Sequence, residues 1–352
     1  MKKLSTLGLA LILTIVPSFC LAQKGSSAEI RQLQGPQNPR LGFAIHGGAG
    51  VIKRGSLSPE KEKAYRAKLE EALLTGFKAL QEGKSGLDAV EIAIRILEDS
   101  PLFNAGKGAV FTADGKIELD ASIMDGKSLA AGAVAGLRHV KNPITLARAV
   151  MEKSQHVMMI SDGAEKFAKE QKIDLVDEKY FWTQERWDSL QLILKEEVEK
   201  KRGGQRSAIS GLPYNKFGTV GAIALDKKGN LAAGTSTGGM TNKKYGRVGD
   251  APIIGAGTYA NNDTCAVSAT GWGEYFIRLG VARDISAVME YRALAVQQAA
   301  DLVIKQKLQS LGGDGGVIAM DKFGNIGISF NSEGMYRAYI DSAGKPVVEI
   351  YK

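Results

Sequence analysis

The chain reads as an α+β fold, and three features of its 352 residues carry that reading. Tyr65, Leu69, Leu73, Phe77 and Leu80 recur at helical spacing and mark an amphipathic helix. Short apolar runs that end in glycine turns, such as Gly42–His46 before Gly47-Gly48-Ala49-Gly50, mark buried strands. Two segments 95 residues apart, Asp226-Lys227-Lys228-Gly229-Asn230 and Asp321-Lys322-Phe323-Gly324-Asn325, repeat one hairpin turn behind matching apolar runs. A composition of 44% hydrophobic and 24% charged residues is ordinary for a globular protein with a sizeable core.

Residues 1–22 fit a secretory signal: Lys2 and Lys3, an apolar run from Leu7 to Val16, and small Ala22 before the expected cut at Gln23. That predicts a periplasmic or secreted protein with no membrane segment in its mature form. A lipid anchor on Cys20 is the competing reading, disfavoured because bulky Phe19 stands where such processing wants a small residue. With the signal removed, Cys265 is the only cysteine, so no intramolecular disulfide forms even in an oxidising compartment. Residues 23–40, with Gly35-Pro36 and Asn38-Pro39, read as a flexible leader, and order is expected from Leu41.

Ser58-Pro59-Glu60 is a helix start, a cap followed by proline at the first helical position. A second helix is expected from Ser85 to about Leu97, and Asn142-Pro143 and Asp284 should open two more. Asp114-Gly115 predicts a hairpin turn. Residues 161–217 read as helical and charged, then loose, ending in Gly203-Gly204, Gly211-Leu212-Pro213 and Lys216-Phe217-Gly218: a tether.

Several chemistries find little support. The basic clusters Lys200-Lys201-Arg202 and Lys243-Lys244 are short and lack interleaved aromatics, against nucleic-acid binding. His46, His139 and His156 are far apart, and no metal-binding His or Cys spacing exists; His46 reads as structural. Gly255-Ala256-Gly257 and Gly271-Trp272-Gly273 fall short of a dinucleotide or phosphate loop, so no catalytic cofactor is expected.

The chemical signal lies at Gly218-Thr219-Val220-Gly221-Ala222, a threonine that opens a strand directly after a glycine. A threonine hydroxyl needs a neighbouring base, and an N-terminal threonine carries one, its own α-amine, which titrates near about 7.7–8.0 in model peptides. Cleavage before Thr219 would therefore create an active site. The bland alternative is a solvent-facing strand threonine.

From Thr219 to Gly273 the chain resembles the plant-type asparaginase and isoaspartyl peptidase family, and the likeness extends from Ile45 to Tyr351 through HGGAG, PLFNAG and GRVGD. The resemblance implies a four-layer αββα N-terminal nucleophile hydrolase, one domain over residues 41–352. It implies autocleavage into an α subunit, 23–218, and a β subunit, 219–352, pairing as (αβ)2. Thr219 would be the nucleophile and Thr237 the threonine that orients it. Thr270 and Gly271 would form the oxyanion hole, where each donor can be worth roughly 3–4 kcal/mol. Arg247 and Asp250, with Gly273 beside them, would grip the α-carboxylate and α-ammonium of a small-molecule substrate; their bland reading is a mutual surface ion pair. Asn104 would steady the nucleophile's amine. Main-chain carbonyls of Leu97, Glu98, Ser100, Phe103, Ala105 and Lys107 would hold a structural sodium ion.

The implied activity is hydrolysis of β-aspartyl dipeptides and L-asparagine through a threonyl ester. A sibling, glycosylasparaginase, acts on sugar-bearing asparagine and would suit an exported enzyme, although Thr237-Gly238-Gly239-Met240-Thr241-Asn242 looks asparaginase-like. Trp272 departs from the pattern, standing between two site glycines where an indole could narrow the pocket, stack on a leaving group or simply pack. From another class, a periplasmic amino-acid or peptide binder could use Arg247 and Asp250 without turnover.

Overall fold

Two β-sheets lie face to face, each covered on its outer side by helices, in a computed structural model that describes residues 41–201 and 218–352. The expected signal segment, Cys20, the leader and the glycine-rich end of the tether lie outside the described residues. The described residues fall within one compact unit. The larger sheet takes β1 (Gly42–Gly50), β2 (Leu119–Asp125), β3 (Ala131–Leu137), β4 (Met158–Ile160), β5 (Val220–Leu225), β6 (Leu231–Thr237), β11 (Gly334–Ile340) and β12 (Pro346–Tyr351). Their spatial order is β12-β11-β1-β5-β6-β2-β3-β4. The smaller sheet takes β7 (Thr258–Ala260), β8 (Cys265–Gly271), β9 (Gly315–Asp321) and β10 (Ile326–Phe330), in the order β10-β9-β8-β7.

Strand periodicity explains the layers. Along β5, Ala222 and Ala224 join the core under the outer helices, while Ile223 and Leu225 point the other way, into the space between the sheets. In β9, Val317 and Ala319 meet the second helical layer and Ile318 and Met320 meet the first sheet. Both faces are buried, so these strands are apolar runs rather than alternations of apolar and polar residues. Three apolar cores therefore separate four layers, as the four-layer expectation requires.

The outer layer on the larger sheet consists of α1 (Pro59–Gln81), α2 (Gly86–Glu98) and α3 (Pro143–Lys153). The Ser58 side chain accepts from Lys61 N–H, and all five apolar residues of the α1 repeat are buried. Burying such a side chain fully is worth about 1.5–3 kcal/mol. Ser85 and Asp88 form a reciprocal capping box on α2. Helix and sheet approach closely at Gly76, where a methyl group would meet the Phe43 ring at 2.4 Å.

α4 (Ser161–Glu170) and α5 (Gln184–Lys201) follow β4, and α6 (Gly273–Leu279), α7 (Val281–Arg292) and α8 (Val296–Asp301) follow β8. Asp284 does not open its helix. Gly280 does, in the left-handed conformation at φ 58°, and Asp284 sits in the first turn of α7, where its charge meets the positive end of the helix dipole. The turn at Asp114-Gly115 closes only an isolated bridge between Phe111 and Ile117. The two repeated hairpins share one turn chemistry: Asp226 Oδ1 accepts from Lys228 and Asn230, and Asp321 Oδ1 accepts from Phe323 and Asn325. One lies in each sheet.

Candidate active site

The hairpin joining β5 and β6 sets the site. Leu225 faces Leu231 and Val220 faces Ser236, which brings Thr219 beside Thr237 where the two strands begin and end. Their hydroxyl oxygens are 3.1 Å apart. Thr219 is only 6% exposed, so the solvent-facing alternative fails.

The carbonyl oxygen of Gly218, directly before Thr219, draws three side chains. Gly218 O accepts from Asn104 Nδ2 at 2.9 Å and from Thr237 Oγ1 at 3.0 Å, and lies 2.7 Å from Thr219 Oγ1. Asn104 is itself fixed: Nδ2 also donates to Gly239 O, Oδ1 accepts from Val110 N–H, and its carbonyl accepts from Gly238 N–H. Its partner here is thus the carbonyl that precedes Thr219, not an amine. The glycine run expected as a turn is instead the end of β1, paired with β11 beyond a bulge at His46–Gly48; Gly48, at φ +115°, lets that strand press on the Gly218–Thr219 bond, since a methyl group there would lie 3.1 Å from Gly218 Cα.

A cleft of about 230 Å3, open to solvent, is lined by Gly218, Thr219, Thr237, Gly239, Arg247, Gly249, Asp250 and Gly271. Gly273 closes the wall behind Arg247 and Asp250: a methyl group on it would lie 2.8 Å from Arg247 Nη2 and 2.9 Å from Asp250 Oδ1. Burial pushes the Asp250 carboxyl up to about 7 against the pull of its own N–H and of Arg247. Its Oδ2 is buried and has no hydrogen-bond partner among the described residues.

One bland alternative fails and one expectation needs adjustment. Arg247 and Asp250 do not form a mutual ion pair, because Arg247 Nε and Nη2 each donate at 2.9 Å to the Glu274 carboxylate. Thr270 is fully buried, and its hydroxyl accepts from Ala49 N–H at 3.2 Å, in β1 rather than on the cleft lining. Its neighbour Gly271 does line the cleft, at φ +156°, where a methyl group would strike Asp314 O at 2.4 Å.

His46, expected to be structural, is so, and it supports Thr219 from behind. His46 Nδ1 lies 3.0 Å from Thr219 O, and Nε2 lies 2.9 Å from Ser268 Oγ. A carbonyl only accepts, so Nδ1 carries the proton and Nε2 accepts. Burial pushes the imidazole down to about 3, so it is neutral. Ser268 continues a run of buried hydroxyls through Thr235, Thr258 and Ser122 to the carbonyl of Ala251, beside Asp250. Gly221 makes room for this contact, since a methyl group there would meet both Ser268 Oγ and His46 Nε2.

Of the residues expected in the cation loop, Leu97 and Glu98 close α2, and the segment through Ser100, Phe103, Ala105 and Lys107 returns to the helix end at Gly106. Gly106, at φ +50°, sits so close to Glu98 O that a methyl group would lie 2.3 Å from it. Among the described residues no group of three or more His, Cys, Asp or Glu side chains gathers that could hold a metal ion. A cation in this loop would rely on main-chain oxygens.

A two-sheet sandwich with a buried threonine poised on its own preceding carbonyl defines an N-terminal nucleophile hydrolase. The chain belongs to the asparaginase family, whose model matches residues 40–350. It is 51% identical over 313 residues to the isoaspartyl peptidase of Escherichia coli (strain K12), covering 88% of this chain and 96% of that one. It is 44% identical over 325 residues to a probable isoaspartyl peptidase/L-asparaginase 2 of Arabidopsis thaliana, covering 88% and 98%. It is also 44% identical over 307 residues to a plant-type L-asparaginase of Pyrococcus furiosus, covering 87% and 98%.

Proposed function

We propose that the chain cleaves itself between Gly218 and Thr219 and that the mature enzyme hydrolyses β-aspartyl dipeptides and L-asparagine. The observation that carries this reading is the Gly218 carbonyl, held by Asn104 and Thr237 with Thr219 Oγ1 at 2.7 Å from its oxygen. Attack by Oγ1 on the Gly218 carbon builds negative charge on that oxygen, where the two donors stabilise it. The hydroxyl proton passes to the Thr219 nitrogen as the C–N bond breaks, leaving an ester. Water then releases the Gly218 carboxylate and a threonine with a free amine.

In the mature enzyme the α-amine takes the hydroxyl proton as Oγ1 attacks the substrate's side-chain amide carbon, then gives it to the departing amine. Thr237 orients the nucleophile. Gly271, which lines the cleft, supplies an oxyanion donor through its N–H, with Thr270 beside it as the second donor the resemblance implies. Arg247 binds the α-carboxylate and Asp250 the α-ammonium, so an ester on Thr219 forms and water resolves it. The names of the relatives favour this reading over a glycosylated-asparagine hydrolase or a binding protein without turnover.

A structural sodium ion on main-chain oxygens of residues 97–107, implied by the family resemblance, is part of the proposal. Pairing as (αβ)2 and export by the amino-terminal segment complete the proposal. Denaturing gels test its core: the wild-type chain should give two bands and hydrolyse both substrates, while Thr219→Ala should stay a single inactive band. An uncut wild type with full turnover would overturn it.

A further inference from the structure

Two opposite charges, Arg247 and Asp250, line one cleft with little more than Gly273 between them. Such a pair ordinarily closes on itself, because a buried charge left without a partner is strongly unfavourable. Here it does not. Glu274, in the first turn of α6, accepts from both Nε and Nη2 of Arg247 in a two-pronged ion pair. The Trp272 indole N–H donates to the same carboxylate, and its ring stands edge-on to Tyr275 with centroids 5.0 Å apart. Arg247 Nη1 faces the cleft wall, 2.8 Å from where a methyl group on Gly249 would sit, and Asp250 Oδ2 is buried with no partner among the described residues.

We propose that Glu274 is a positioning residue that holds this clamp open. By occupying the Nε and Nη2 edge of Arg247 it keeps the guanidinium off Asp250. Nη1 is then left for the substrate's α-carboxylate, and Asp250 for its α-ammonium. Trp272, the departure from the family pattern, secures Glu274 in that pose. Without Glu274, Arg247 turns to Asp250, and a substrate must first break their pair. The inference rests on the reading that the cleft takes an α-amino-acid zwitterion.

The test is a double-mutant cycle with β-aspartyl-leucine as substrate, on protein whose self-cleavage is checked by gel. Glu274→Ala should raise KM about tenfold or more with kcat within about threefold, and Glu274→Gln, which keeps one acceptor, should fall between. In an Asp250→Asn background, which raises KM by itself, adding Glu274→Ala should change KM less than about twofold, because no carboxylate remains for Arg247 to close upon. Additive effects in the cycle would overturn the proposal, as would a lowered kcat at unchanged KM. Wild-type protein that cleaves itself but turns over neither β-aspartyl-leucine nor asparagine would instead sink the proposed function.

Discussion

His46 Nδ1 donates to the carbonyl oxygen of Thr219 at 3.0 Å, so the nucleophile is held from behind by a residue 173 positions upstream. The ring is neutral in the fold and cannot take a proton there without losing an acceptor for Ser268. The unfolded chain binds that proton below about 6.5, so acid favours unfolding: the stability lost grows as pH falls from 6.5 towards 3. At pH 5 the cost should be about 2 kcal/mol. Urea titrations of wild type and His46→Gln at pH 7 and pH 5 check it. The variant should be less stable at pH 7 by about 1–3 kcal/mol but lose less on acidification; parallel losses would exclude His46 as the group responsible.

Asn104 should matter before the enzyme exists. Its amide donates to the carbonyl that would become an oxyanion in the proposed self-cleavage. Removing one such donor typically costs about 10²–10³ in rate. Asn104→Ala should therefore process roughly a hundredfold more slowly in a gel time course, with a melting transition still present to show a folded precursor. Processing at the wild-type rate would leave Asn104 with no part in the step.

Most local structure was legible because its causes are local. The α1 start, the capping box on α2 and the two aspartate-anchored hairpins each follow from a few adjacent residues. The Thr219 and Thr237 pairing is also a local consequence, since a hairpin turning at 226–230 fixes which residues face each other. The family motifs pointed to Arg247 and Asp250, which the fold brings to one cleft. What stayed hidden depends on layers stacking. His46 meets Ser268 across the two sheets, and Glu274 reaches Arg247 from a helix that begins where β8 ends. A glycine followed by glutamate after the Thr270-Gly271-Trp272 run carried no signal of which cation the carboxylate would find. Asp284 misled for a simpler reason: an acidic residue suits a first turn as well as a cap.

Glu98 should make the protein sensitive to alkali. Its side chain is fully buried, with Oε1 accepting from Ser236 Oγ and Ile144 N–H, and burial pushes the carboxyl up to about 8. A raised carboxyl binds its proton in the folded chain and releases it in the unfolded one between about 4.5 and 8, so stability falls as pH rises through that window. Glu98→Gln removes the ionisation and keeps an acceptor. Thermal melts should show the wild type losing ground between pH 5 and pH 8 while the variant stays nearly level. Equal slopes would mean that other groups carry the dependence.

If Asp250 binds the substrate ammonium as proposed, it should set the acid limb of catalysis. Burial holds its carboxyl near 7, offset in part by its own N–H and by Arg247, while Glu274 and Asp120 push it higher. Only the ionised form pairs with a substrate ammonium, so protonation below pH 7 removes a binding partner from the free enzyme. The Thr219 amine, near about 7.7–8.0 if unperturbed, must also be neutral to act as base. Two protonations then oppose kcat/KM, whose logarithm should fall with a slope approaching two on the acid side. Bound substrate keeps Asp250 ionised, so kcat should fall with a slope of about one. Asp250→Asn should reduce the kcat/KM slope to about one at a much higher KM. Initial rates for asparagine from pH 5 to pH 8.5 distinguish the cases, and an unchanged slope in the variant would place the second titration on another group.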